Sequence, residues 1–300
     1  MSCNFCIGEL NRGLPLSCMA NPTAGREATW SDSDYGTADT RRRVLVVGGG
    51  PAGLEAARVA AERGHEVHLW ERESELGGRL RTAARGVGRS DLNKLVTYER
   101  AQLERLGVEV VLKKEATAEA IAALEPDVVV QATGSVPHEE IALEGDVLDA
   151  NDLIADTTLA GRSVAVLDFE GAWRAASVSE TLATAGHHVR LLSPGPGLLW
   201  DINSYSQMLI LERLRQADVE FFTLTRVLSW DGKTLTFKDG TAEQKTLTDV
   251  DSVCVVSPGA PAPAPITTTA DFDIEIIGDA LAPRDLLQVV YQGHELGRRL

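Results

Sequence analysis

RVLVVGGGPAGLEAAR, residues 43–58, decides the fold of this 300-residue chain. Val44–Val47 is apolar throughout rather than alternating, the pattern of a short strand buried on both faces of a parallel sheet. Gly48, Gly50 and Gly53 follow at once as G-x-G-x-x-G, and a helix is predicted from Pro51 to Arg63, closed by Gly64. In that context the first glycine permits the tight turn and the second lets backbone approach a pyrophosphate. The third allows close helix–sheet packing, and the helix N-terminus, with Ala52 in its first turn, favours negative charge. The next strand, Val67–Trp70, leads to Glu71, eighteen residues past Gly53, where a carboxylate can accept hydrogen bonds from ribose hydroxyls. Arg72 adjoins it and joins the candidate set, which describes a site for an adenine dinucleotide or nucleotide.

Outward from this turn, Leu76-Gly77-Gly78-Arg79 offers a second glycine turn able to close over phosphates. Ala132-Thr133-Gly134 ends the strand Asp127–Gln131, and Gly278-Asp279 ends the last strand, Ile274–Ile277. In this order the pieces resemble those of flavoproteins with two dinucleotide-binding domains, where the late Gly-Asp pair implies a contact to the ribityl and pyrophosphate portion of FAD. The alternation of strands and helices, including a helix near 90–106, predicts an α/β protein of doubly wound type. From Ser163 the theme restarts with strands Ser163–Leu167, Val189–Leu192 and Val219–Leu224. Asp231-Gly232 marks a hairpin between Val227–Trp230 and Lys233–Phe237. Two three-layer Rossmann-like domains are therefore expected, the second inserted in the first. Residues 1–40 would be an iron–sulfur segment and linker, 41–150 plus 251–300 an FAD- or ADP-binding domain, and 151–250 a degenerate NAD(P)-binding-like domain.

The second domain lacks the glycine motif of the first. Aligning Val164–Leu167 on Val44–Val47 puts Asp168, Glu170 and Trp173 where the three glycines should stand. Two carboxylates would then face phosphate charge, at about 4 kcal/mol per close pair at an intermediate dielectric. Hydride delivery from NADH or NADPH at this domain is not expected.

A net charge of −15 argues against nucleic acid and against anionic membrane surfaces, and no stretch is long and apolar enough to span a bilayer. No signal-peptide pattern opens the sequence, and four cysteines do not make a disulfide framework, so a cytoplasmic location is expected. Cys254, inside an apolar run, reads as a core residue.

Cys3 and Cys6 form C-x2-C, and Cys18 follows after eleven residues. This spacing suits soft-metal thiolate ligation, iron–sulfur first, with zinc or free thiols as the other readings. His65, His68, His138, His187, His188 and His294 show no ligand spacing near the cysteines. A 4Fe-4S cluster ordinarily takes four thiolates, and one more C-x2-C step backwards falls just before Met1. The fourth ligand could come from a partner chain, from a residue other than cysteine, or be absent in a three-iron cluster.

Cys3-Asn4-Phe5-Cys6, Cys18, Asn21-Pro22, Gly25-Arg26-Glu27 and the glycine pieces occur in one order over nearly the whole chain. That order resembles the C-terminal half of the trimethylamine dehydrogenase, histamine dehydrogenase and 2,4-dienoyl-CoA reductase family. The resemblance implies a 4Fe-4S cluster at Cys3, Cys6 and Cys18, FAD or ADP at the first turn, and electron transfer with FMN on a TIM barrel. The barrel is lacking here, so an FMN-binding TIM-barrel partner that supplies the fourth cysteine is expected, with an electron-transfer flavoprotein as a further partner. No residue offers itself as a general base or nucleophile. The favoured reading is the electron-transfer subunit of a two-chain iron–sulfur flavoenzyme that oxidises or demethylates an amine-type substrate. Two others stay open: a NAD(P)H-dependent FAD/iron–sulfur reductase subunit of enoate-reductase type, and a non-redox ADP-binding scaffold.

Overall fold

Val44, Leu45 and Val46 are wholly buried because strand Arg43–Val47 lies at the centre of a five-stranded parallel sheet. In the computed structural model, which describes residues 3–30, 36–137, 143, 147–266 and 272–300, that sheet runs Asp273–Ile276, Val128–Gln131, Arg43–Val47, Glu66–Glu71, Glu109–Leu112. His138 lies outside the described residues. Every pairing is parallel, so each crossover must return over a face of the sheet. Helix Pro51–Glu62 makes the first return and carries nine buried residues from Ala52 to Ala60. It packs against the closing helix, Leu286–Arg299, at very short range. A Cβ on Gly293 would stand 2.3 Å from the Ala52 carbonyl oxygen, and one on Gly297 2.6 Å from Val59 Cβ. The other face of the sheet is covered by a core of Leu45, Val47, Trp70, Ile121, Val129 and Ile266.

The second unit repeats the plan. Its sheet runs Val147–Asp149, Ser252–Val256, Ser163–Asp168, His188–Leu192, Glu220–Phe222, again wholly parallel. Helices Ala150–Ala155, Trp173–Thr184 and Ser204–Gln216 fill one face around Val164, Val166, Leu182 and Leu214. A three-stranded antiparallel sheet, Arg226–Trp230, Leu235–Lys238 and Gln244–Leu247, covers the other through Trp230, Leu235 and Phe237. The α/β class and the paired Rossmann-like units are as expected from the sequence.

The chain divides into Met1–Arg81, Asp91–Val136 and Gly259–Leu300 as one unit, and Thr82–Ser90 with Pro137–Pro258 as the other. This corrects the expected boundary at residue 251. Ser252–Val256 does not open the return to the first domain; it pairs with Ser163–Asp168 inside the second sheet, register Val253 to Ala165. An apolar run with no turn signal before it reads equally well as the last strand of one sheet or the next strand of the other. Residues 3–30 belong to the first unit. Trp30 stacks on Tyr291 at 4.9 Å between ring centroids, and the Arg26 guanidinium lies 4.6 Å from the same tyrosine ring, fastening this segment to the closing helix.

Candidate dinucleotide-binding site

Gly48 leaves the strand at φ +110°, and a Cβ there would stand 2.3 Å from the Ala132 carbonyl oxygen, so only glycine fits. Gly53 is equally constrained from within, since its Cβ would lie 2.0 Å from the Gly48 carbonyl oxygen. Gly50 differs. Its backbone is extended at φ −77°, and a Cβ would meet nothing within 4 Å. No protein atom requires a glycine there, and the backbone at Gly50 is open to an outside group. The helix that Gly50 caps has Pro51 at its first position and no side chain capping it, leaving its first-turn N–H groups to an outside acceptor.

The neighbouring pieces converge on this turn. Gly77 donates its N–H to the Gly49 carbonyl at 2.7 Å, and a Cβ on Gly78 (φ +51°) would stand 3.2 Å from Gly50 Cα. Glu71 is buried; its Oε2 accepts from the Gly49 amide at 2.7 Å and its Oε1 from the Glu73 amide at 2.9 Å. Each carboxylate oxygen retains a second lone pair, which is what two ribose hydroxyls would need. Arg72 is exposed and ion-paired with Glu73 at 3.5 Å. Arg79 donates to the Ser135 carbonyl at 2.8 Å. Gly278 (φ +64°) gives its N–H to Gln292 Oε1 at 2.8 Å and packs on Ala52, whose Cβ would lie 2.8 Å from a Cβ on that glycine. Asp279 Oδ2 accepts from Ser135 Oγ at 3.3 Å, and its Oδ1 from the Arg284 amide at 3.1 Å. Thr133 Oγ1 is buried without a hydrogen-bond partner, beside Gly134 (φ +79°), where a Cβ would also meet open space.

Open room at Gly50 and Gly134, an unpaired hydroxyl at Thr133, an uncapped helix and a half-used carboxylate fit an adenine nucleotide. Gly49, Ser135 and Gln292 complete the arrangement and carried no signal in the sequence: each acts through a backbone contact or from a distant strand or helix.

Behind the turn, helix Pro51–Glu62 is anchored by a buried ionic group. Arg58 donates to Glu55 Oε1 at 2.6 Å and to Glu62 Oε2 at 3.0 Å, and His294 Nδ1 lies 2.6 Å from Glu55 Oε1. Burial opposes ionisation of Glu55, but the hydrogen bond from His294 and the Arg58 charge hold its carboxyl well below the usual range. Glu99, 3.6 Å from Arg58 on helix Asn93–Arg105, moves the other way: burial first, then the Glu55 charge, push it up.

The cysteines fare differently. Cys3, Cys6 and Cys18 are half-buried and not in disulfides, and in the same segment Ile7, Leu10, Leu14 and Leu16 are exposed. Among the described residues no group of three or more His, Cys, Asp or Glu side chains is arranged to hold a metal. Cys254 is fully buried, and burial pushes its thiol up. No helix among the described residues is long and apolar enough to cross a membrane.

Comparison with known proteins bears on the same turn. The family model for the NAD(P)-binding Rossmann-like domain matches residues 46–100. A probable N-methylproline demethylase of Rhizobium meliloti (strain 1021) is 38% identical over 226 residues, 75% of this chain and 33% of the demethylase. Histamine dehydrogenase from Rhizobium sp. 4-9 superposes on 99% of this chain with a TM-score of 0.89 at 26% identity. The chain is kin to flavin- and NAD-binding oxidoreductases. A 2-naphthoyl-CoA reductase structure superposes on all of it with a TM-score of 0.91 at 25% identity. This chain spans 46% of that reductase chain and 50% of the histamine dehydrogenase chain, so it is similar to a part of each.

Proposed function

We propose that this chain is the nucleotide-binding, electron-transfer part of a flavin-dependent oxidoreductase that oxidises or demethylates an amine-type substrate. The observation that carries the reading is the turn at Gly48–Gly53, closed to side chains by the protein at Gly48 and Gly53 and open at Gly50. FAD or ADP would lie with its pyrophosphate over Gly50 and Gly78, its ribose hydroxyls on Glu71 and its remaining contacts at Thr133, Gly134 and Asp279. Bound FAD would supply one- and two-electron redox chemistry, whereas ADP would be structural. The chain's own part is positioning: Glu71 orients the ribose from two backbone amides, and the helix N-terminus offsets phosphate charge.

The amine-type substrate is supported by kinship with the demethylase and with histamine dehydrogenase. An FMN-bearing TIM-barrel partner, an electron-transfer flavoprotein as acceptor, and an iron–sulfur cluster on Cys3, Cys6 and Cys18 with a further ligand complete the proposal on resemblance. A second reading, a NAD(P)H-dependent reductase, is favoured by the likeness to 2-naphthoyl-CoA reductase. Denaturing the purified chain and identifying the released nucleotide tests both. One equivalent of FAD or ADP supports the first reading. Flavin bleached by NADPH alone selects the second, and no nucleotide at all removes both.

A further inference from the structure

The second unit has a strand–turn–helix of the same kind as the first, and its donors are already taken. Strand Ser163–Asp168 delivers Asp168 into the turn before helix Trp173–Thr184 with no exposed surface. Asp168 Oδ1 accepts from the Gly171 amide at 2.7 Å and from the Glu170 amide at 3.0 Å. Two amides converging on one anionic oxygen are what a dinucleotide-binding turn offers a phosphate. We infer that Asp168 is a built-in phosphate substitute, closing the second unit's turn to dinucleotides so that the chain takes one dinucleotide and not two.

Three further contacts agree. The Trp200 indole lies over Gly171 (φ +66°), where a Cβ would come within 2.2 Å of its ring, and the Asp201 amide fixes that segment to the Gly171 carbonyl at 2.8 Å. Arg174, the cation in the first helical turn, is committed to Glu170 and to the Ser257 carbonyl. The turn is thus plugged from inside by a carboxylate and covered by an aromatic ring, in contrast to the open space at Gly50. Asp168 Oδ2 is buried without a partner, so the side chain is held by the oxygen facing the two amides. Desolvation raises its pKa to about 6 in spite of those bonds. As a specificity device, this excludes NADH and NADPH from the second unit.

The inference rests on the reading that the first turn takes the nucleotide, and the test separates the two. The full chain is saturated with ADP and then titrated with NADH by equilibrium dialysis. A chain that neither retains FAD nor takes up ADP sinks the earlier reading, while its NADH count, expected to be zero, still tests the inference. No further equivalent of NADH is expected in the wild type, and a second equivalent bound beside ADP overturns the inference. Asp168→Ala/Trp200→Ala, probed with inorganic pyrophosphate after ADP saturation, should gain one salt-sensitive equivalent. Asp168→Asn/Trp200→Ala keeps an acceptor oxygen on the two amides and should gain none. Equal gain in both variants, or none in the folded alanine variant, overturns the inference. If the alanine variant fails to fold, the wild-type count still decides.

Discussion

Gly50 and Gly53 stand three residues apart and answer to different constraints, which makes them the sharpest residue-scale test. The Cβ of Gly50→Val meets no protein atom within 4 Å on an extended backbone, so stability should change by no more than about 0.5 kcal/mol. The same side chain occupies the room assigned to pyrophosphate, so nucleotide recovered from the purified variant should fall to near zero. Gly53→Ala drives a Cβ against the Gly48 carbonyl and should cost about 3 kcal/mol through overpacking. Urea denaturation and nucleotide release read both; a Gly50→Val protein that retains its nucleotide would remove the assignment. Asp168 gives a second residue-scale prediction. Its folded pKa, raised to about 6, means the native state holds the proton more tightly than the unfolded chain. That contribution is fully present below the ordinary carboxylate range and is lost as pH rises through 6. Asp168→Asn does not titrate. It should gain on wild type by roughly 3 kcal/mol between pH 4 and pH 7.5, two pKa units at about 1.4 kcal/mol each. Glu170 and Arg174 face the same group, the first raising its pKa and the second lowering it. Parallel stability profiles of the two proteins would refute the assignment.

At the scale of elements, helix Pro51–Glu62 carries the dinucleotide turn at one end and is held by helices Leu286–Arg299 and Asn93–Arg105 behind it. Small residues set the first crossing: Gly293 and Gly297 bring the closing helix against Ala52 and Val59. The buried group spans both crossings, His294 to Glu55 at the first and Glu99 to Arg58 at the second, and its two carboxyls lie on opposite sides of their usual range. Glu55→Gln keeps an acceptor oxygen but removes the buried negative charge that Arg58 and His294 share and sets an NH2 donor among them, so it should cost on the order of 3–5 kcal/mol near neutral pH. Glu99 carries its proton at that pH, so Glu99→Gln should be close to neutral there. The native state holds that proton beyond the ordinary carboxylate range, so wild-type stability declines as pH rises and Glu99→Gln should pull ahead. Thermal unfolding at neutral and alkaline pH checks the pair. Equal losses in the two variants would mean that the carboxyls are not differentiated by their surroundings.

For the whole molecule, legibility in the sequence followed apolar periodicity and glycine spacing. The central strands were readable because Val44–Val47 and Val164–Leu167 are apolar on both faces, and the Asp231-Gly232 hairpin because its turn chemistry is local. Strand Gln244–Leu247 was not, since three of its four residues are exposed and it exists by pairing with Leu235–Lys238. Helix Ala118–Leu124 buries only Ile121 and gave no face to read. At the first turn the glycines and Glu71 were legible, but Ser135, which meets Arg79 and Asp279, and Gln292, which meets Gly278, were placed only by the fold. The role of Asp168 was legible only as a missing glycine; that its carboxylate would occupy the amides required the fold. The cysteines mark the limit of spacing alone. C-x2-C with Cys18 offers three thiols of the type that soft metals take, and a four-iron cluster ordinarily takes four. Iron content measured after anaerobic purification of this chain should accordingly fall well short of four per chain, while nucleotide at the Gly48–Gly53 turn stays near one equivalent. Adding a chain that supplies the missing ligand should raise the iron without changing the nucleotide count, because the turn at Gly50 is built from this chain's own residues. Iron near four in the chain alone would place a full ligand set within these 300 residues and remove the shared-ligand proposal.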